Sequence, residues 1–132
     1  MKEQTLAMIK PDAIEKKYQG LIIQEILDAG FEIKAIKMLQ LSKDQARAFY
    51  SAHKDKEFYE PLVAFINSGP IIALLLEKDN AIEDYRTLMG KTDPEKAAEG
   101  TIRKKYAETI RRNAVHGSDS PENAKKEIAF FF

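Results

Sequence analysis

The sequence predicts an α+β fold, a four-stranded antiparallel sheet with helices on one face and a long loop inserted before the last strand. Three observations support this. Four apolar runs, at 5–9, 31–38, 71–76 and 128–132, have the length of strands, and the segments between them carry helical spacing and helix-start signals. Apolar residues recur from Leu6 to Phe132 with no internal repeat or Ser/Gly/Pro-rich linker, so residues 1–132 read as one domain. The irregular stretch from Asp93-Pro94 to about residue 119 is longer than a connection in a compact domain requires, which marks it as functional.

The elements follow in order. Thr5-Leu6-Ala7-Met8-Ile9 is short, apolar and stopped by Pro11, leaving Lys10 at the end of a buried strand. Ile22, Ile23, Ile26 and Leu27 line one face of a helix between Gly20 and Ala29, with Gly30 as its stop. Phe31, Ile33 and Ala35 alternate with Glu32 and Lys34, and the alternation shifts at Ile36, which indicates a half-exposed strand with a bulge. Ser42 and Gln45 have capping-box spacing, with Ala46, Phe49, Tyr50 and His53 on one helical face behind them. A further helix covers Phe58 to Ile66, and Asn67-Ser68-Gly69-Pro70 then turns the chain into Ile71-Ile72-Ala73-Leu74-Leu75-Leu76, a central strand covered on both faces. Residues 79–88 read as helical. Asp93-Pro94 and Ser120-Pro121 each offer a cap followed by proline at a first helical position, and 128–132 form the final strand with Glu127 at its start. The resulting βαββαβ order is that of the ferredoxin-like, split-βαβ arrangement.

Composition removes several function classes. The 21 basic and 21 acidic residues cancel, so no overall field attracts nucleic acid. The absence of cysteine excludes a disulfide scaffold, a thiol nucleophile and a thiolate zinc site, and it favours the cytoplasm. No apolar run approaches the roughly 18 residues that cross a bilayer, so no membrane partner is expected. Charge is uneven locally: residues 101–112 carry five bases against one acid, which makes this segment the place to seek an anion site.

Two apparent motifs fail on inspection. Gly90-Lys91-Thr92 resembles the end of a phosphate-binding loop, but Tyr85 stands where G-x-x-x-x-G-K-[ST] needs glycine. Gly117-Ser118-Asp119-Ser120 lacks the flanking glycines of a serine-hydrolase elbow, and the only histidines, His53 and His116, lack metal-pair spacing. His116 is therefore the main candidate nucleophile, preceded by Arg103, Lys104, Lys105, Arg111 and Arg112 and followed by Glu127. A neutral imidazole, with an ordinary pKa of about 6.5, can attack phosphorus at neutral pH, neighbouring cations favour that neutral form, and a carboxylate can orient the ring.

The run Asn113-Ala114-Val115-His116-Gly117-Ser118-Asp119-Ser120 closely resembles the active-site signature of nucleoside diphosphate kinases. Matches elsewhere keep the family order: Ile9-Lys10-Pro11-Asp12, His53 and Phe58, Ser68-Gly69-Pro70, Arg86 with Gly90, Thr92 and Pro94, Gly100-Thr101-Ile102-Arg103, and Lys126-Glu127-Ile128. The resemblance spans about residues 4 to 131. It implies the ferredoxin-like fold with a nucleotide-binding loop. It also implies ping-pong transfer of the terminal phosphate from a nucleoside triphosphate to a nucleoside diphosphate through a phosphohistidine, a reaction that maintains NTP and dNTP pools.

Carried over position by position, the resemblance makes His116 the phosphate acceptor, with Glu127 and Ser118 orienting its ring. Arg86, Thr92 and Arg103 grip phosphates with Lys10, Tyr50 and His53 nearby, as guanidinium forks suit phosphate oxygens. Lys10 and Asn113 meet the ribose, and Phe58 and Ile110 hold the base by stacking and apolar packing, so base specificity should be broad. Mg2+ is the implied cofactor, carried by the nucleotide and not by protein ligands. Homo-oligomers, tetramers or hexamers built from dimers, are the implied assembly.

Each side chain also has a structural reading. Phe58 and Ile110 fit a core, Tyr50 a half-buried helix position, Arg86 an ion pair with Glu83 or Asp84, Thr92 a cap, and Glu127 a solvated strand end. A nucleotide- or RNA-binding module without catalysis is the competing function, although Ile71 to Leu76 lacks the stacking aromatics of an RNA-reading strand. Departures from the family pattern are Glu99 before Gly100, where proline is common, and Lys104-Lys105 after Arg103, where glycine-aspartate is common. The sequence ends on three phenylalanines, where relatives usually continue with a short tail.

Overall fold

Strand β1 (Lys2–Ile9) ends where Pro11 removes a backbone donor, and the same proline opens a short helix α1 (Pro11–Glu15) that the sequence reading treated only as a stop. The computed structural model describes residues 2–132. Then follow α2 (Gln19–Asp28), β2 (Glu32–Leu39) and α3 (Lys43–Phe49), the last started by the expected capping box, in which the Ser42 and Gln45 side chains each bond the other's backbone N–H. A 3-10 turn at Ser51–His53 leads to α4 (Tyr59–Asn67), β3 (Ile71–Asp79) and α5 (Ala81–Met89). Helix α6 (Ile102–Tyr106) interrupts the long loop, and β4 (Val115–Gly117) and α7 (Pro121–Phe131) close the described chain.

The strands pair antiparallel in the order β2-β3-β1-β4, the sheet order of a βαββαβ unit. Central β1 pairs with β3 over its whole length, Leu6 against Leu75 and Met8 against Ala73, and β2 joins with a register shift between Ile33 and Ala35, close to the expected bulge.

Helices cover both faces, not one. Ala7, Ile9, Ile72, Leu74 and Leu76 pack with Ile22 and Ile26 of α2 and Tyr85 and Met89 of α5, the two helices of the βαββαβ unit. On the other face Leu6, Met8, Ile71 and Ala73 meet Ala46 of α3, Val63 and Ile66 of α4, and Phe131 of α7. The unbroken apolar run 71–76 already required this second cover, because a strand open to water on one side would alternate.

Two further expectations are corrected. Residues 128–132 are not the last strand: the Ser120 side chain caps Asn123 N–H, and the helix it starts continues through the phenylalanines. Ala124 and Phe131 lie seven positions apart on one helical face and are buried, while Phe130 and Phe132 are exposed, so three adjacent phenylalanines reflect helical burial of one among them. The fourth strand is β4, which contains His116. Asp93-Pro94 starts no helix either; Asp93 Oδ1 accepts from Glu95 N–H and closes a turn.

Candidate active site

Register fixes the face on which each group of β4 stands. His116 lies opposite Met8 and so shares the face of Leu6, Met8, α3 and α7, while Val115 and Gly117 face α5. Gly117 has no room for a side chain, since a Cβ would stand 2.6 Å from the Tyr85 ring and 2.8 Å from Met89. This close packing seats the strand that carries the imidazole.

Helix α7 delivers the carboxylate. His116 Nε2 lies 3.0 Å from Glu127 Oε1, and Ser118 Oγ donates to the same oxygen at 2.7 Å. Because an ionised carboxylate only accepts, the pair places the proton on Nε2 and leaves the lone pair on Nδ1. Ser118 is anchored in turn: its N–H donates to Leu6 O, and Leu6 N–H donates to its Oγ. Glu127 thus projects from the middle of a helix, where its spacing from Ser120 and the packing of α7 on β1 put it.

His116 opens into a cleft of about 1520 Å³ whose lining includes Tyr50, His53, Arg86, Thr92, Arg103 and Glu127 from the expected set. Tyr50 is buried and its hydroxyl has no partner among the described residues. Burial, reinforced by the charge of Glu127, pushes its phenol above the usual range and keeps it a protonated donor. Arg86 is exposed, and Asp84 pairs with Lys78 instead, so the structural reading of Arg86 fails. Thr92 is exposed on the loop and does not act as a cap.

Arg103 is buried and donates to three carbonyls: Gly90 at 3.0 Å, Asn113 at 3.4 Å and Val115 at 3.0 Å. A guanidinium has five N–H groups, so two stay uncommitted. Burial draws its ionisation below the usual arginine range. Behind it Lys10 Nζ donates to Asn113 Oδ1 at 2.9 Å, and Asn113 Nδ2 donates to Ile110 O. Burial first, then Arg103, lowers the Lys10 pKa to about 8, against an opposing pull from Asp12.

Neither Phe58 nor Ile110 lies in the core or in the lining of the cleft; they are 41% and 60% exposed, and the Phe58 ring is tilted against His53 with ring centroids 5.4 Å apart. Lys10, Asn113 and Ser118 also lie outside the lining, as buried supports. Phe49 was missed by the sequence reading as a site residue: its ring is T-shaped against His116 at 5.4 Å and tilted against Phe130 at 5.5 Å. It shares the helical face of Tyr50 and His53, but its contact with His116 spans a sequence separation that no local pattern reveals. Among the described residues, no group of three or more His, Asp or Glu side chains is placed to hold a metal ion, and no helix is long and apolar enough to cross a membrane.

The sequence pattern of the family described as "Nucleoside diphosphate kinase" matches residues 3–132. The chain belongs to the nucleoside diphosphate kinase family. It is 51% identical over 130 residues to the nucleoside diphosphate kinase of Salinibacter ruber and 55% identical over 130 residues to nucleoside diphosphate kinase 1 of Protochlamydia amoebophila, covering 98% of this chain and 92% of each relative. The crystal structure of the Aquifex aeolicus nucleoside diphosphate kinase superposes with a TM-score of 0.98 at 41% identity, over 100% of this chain and 96% of that one. A halophilic nucleoside diphosphate kinase from Halobacterium salinarum, solved in complex with CDP, gives 0.95 at 36% identity, over 100% and 88%. The enzyme accordingly transfers phosphate between nucleotides on a ferredoxin-like fold.

Proposed function

We propose that His116 Nδ1 attacks the terminal phosphorus of a nucleoside triphosphate, forming an N–P bond as the bond to the leaving diphosphate oxygen breaks. An oxygen of a second nucleoside diphosphate then attacks the same phosphorus, breaking the N–P bond and restoring the imidazole. The observation that carries this reading is the 3.0 Å contact from Nε2 to Glu127, which leaves Nδ1 as the basic nitrogen. Glu127 stabilises the positive charge that develops on the ring, with Ser118 holding the carboxylate. Two half-reactions through one site give ping-pong kinetics.

Arg86, Thr92 and the two uncommitted N–H groups of Arg103 hold phosphate oxygens, with Tyr50 and His53 beside them on the wall. Lys10 and Asn113 meet the ribose. Phe58 and Ile110, exposed and apolar, hold the base without base-edge hydrogen bonds, which supports broad specificity. The cationic lining fits a nucleotide that brings Mg2+ on its phosphates, where the ion neutralises part of their charge. Exposed Ile36 and Met38 on edge strand β2 support assembly into dimers, and from these into tetramers or hexamers, of a single-domain cytoplasmic enzyme.

Phosphate exchange from ATP to a panel of diphosphates tests the reading. Parallel initial-velocity lines and comparable rates for purine and pyrimidine acceptors are expected. Intersecting lines, or transfer to one base alone, overturn it.

A further inference from the structure

Ala114 is the one non-glycine residue in the active-site loop with positive φ, at +72°. Val115 N–H donates to Asn113 O at 2.8 Å, so residues 113–115 form a γ-turn around it. With φ positive at its centre, this turn is the rare, strained form, and it stands two residues before His116. Something must over-determine it. Ala114 is fully buried, and both of its backbone polar groups are claimed by the segment after β1: its N–H donates to Asp12 Oδ2 at 3.0 Å, and its carbonyl accepts from Lys10 N–H at 2.8 Å.

We infer that Asp12 is a positioning residue for phosphoryl transfer: its carboxylate clamps the strained Ala114 turn and thereby sets the height and direction of His116, while fixing the Asn113 carbonyl and side chain that receive Arg103 and Lys10. The inference rests on His116 as the acceptor and adds the device that places it. Asp12 is 2% exposed, and Oδ1 has no partner among the described residues, so the side chain's hydrogen bonding is committed to the Ala114 amide. Burial pushes its carboxyl above the ordinary range. An acidic residue serving only as a favourable charge in the first turn of α1 would sit in solvent, free of that desolvation.

A double-mutant cycle separates the clamp from a merely structural acid. The variants are Asp12→Ala, Asp12→Asn, Ala114→Gly and the double Asp12→Ala/Ala114→Gly, read by the single-turnover rate of His116 phosphorylation by ATP and by thermal unfolding. Asp12→Ala is expected to slow phosphorylation about 100-fold and Asp12→Asn, which keeps an acceptor for the amide, only about threefold. Glycine adopts positive φ at no steric cost, so Ala114→Gly alone stays within about twofold of the parent, and in its background Asp12→Ala costs about ten times less. Should Asp12→Ala not fold, Asp12→Ser carries the same test, because its shorter hydroxyl falls short of the amide; it is expected to be about tenfold slower than Asp12→Asn. Loss of thermal stability with an unchanged phosphorylation rate, or the same fold-loss in both backgrounds, overturns the clamp. Label that survives His116→Ala overturns the acceptor assignment instead, so the two failures are distinguishable.

Discussion

Lys10 and Asn113 behind the cleft and Arg103 in its wall are buried and bonded within the protein, whereas Arg86 and Thr92 in the wall and Phe58 and Ile110 outside it are exposed. The first group has its geometry before any nucleotide arrives. The second, on the proposed reading, acquires its partners from the nucleotide. Interactions already made in the free enzyme carry both stability and chemistry, while those awaiting substrate carry binding alone.

The sharpest way to break this contrast is Arg103→Ala. Three carbonyls, two of them buried, lose their donor, so urea unfolding should show a loss of about 3 kcal/mol, and kcat should fall about 1000-fold. Arg103→Lys should recover little, because an ammonium cannot reproduce the planar fork. Next comes Glu127→Gln, which keeps an acceptor for Nε2 and removes the charge. Rapid-quench measurement should give phosphorylation about 100-fold slower at little change in stability.

Lys10 sharpens the comparison through pH. Its folded pKa, about 8, lies below the model-peptide value of 10.5. Between these values the unfolded chain binds more protons than the native one, so the Lys10 contribution to stability rises with pH, while the charge proposed to meet the ribose is lost above about pH 8. The value of kcat/KM should therefore decline above about pH 8 as Lys10 stability improves, and Lys10→Ala should abolish that alkaline limb. The smallest effect belongs to the rim. Phe58→Ala should raise KM about fivefold with kcat nearly unchanged and unfolding free energy within about 0.5 kcal/mol of the parent, as calorimetry would show.

The sequence disclosed this site more readily than it disclosed the chain end that completes it. Strand β1, the Ser42 cap, the run 71–76 and the His116 signature were legible because each depends on local pattern or on a motif with one chemistry. The phenylalanines misled because a short apolar run satisfies both strand and helix periods, and only the packing of Phe131 against Leu6 and Met8 decides between them. Glu127 was therefore identified as a residue but assigned to the wrong element. Phe49 and, beyond its place in the matched run Ile9-Lys10-Pro11-Asp12, Asp12 were not legible, because they meet His116 and the Ala114 amide across gaps no local pattern spans. The second helical layer was legible in the run 71–76, read as covered on both faces, but not in the βαββαβ order, which by itself places helices on one face.

The most direct measurement is the position of the phosphoryl group after brief reaction with ATP labelled at its terminal phosphate. Acid-labile, base-stable label on His116 is expected, with nitrogen–phosphorus NMR coupling at Nδ1, discharge onto added diphosphate, and no label in His116→Ala. Label on Nε2 or on a hydroxyl, or transfer that persists in His116→Ala, would contradict the account.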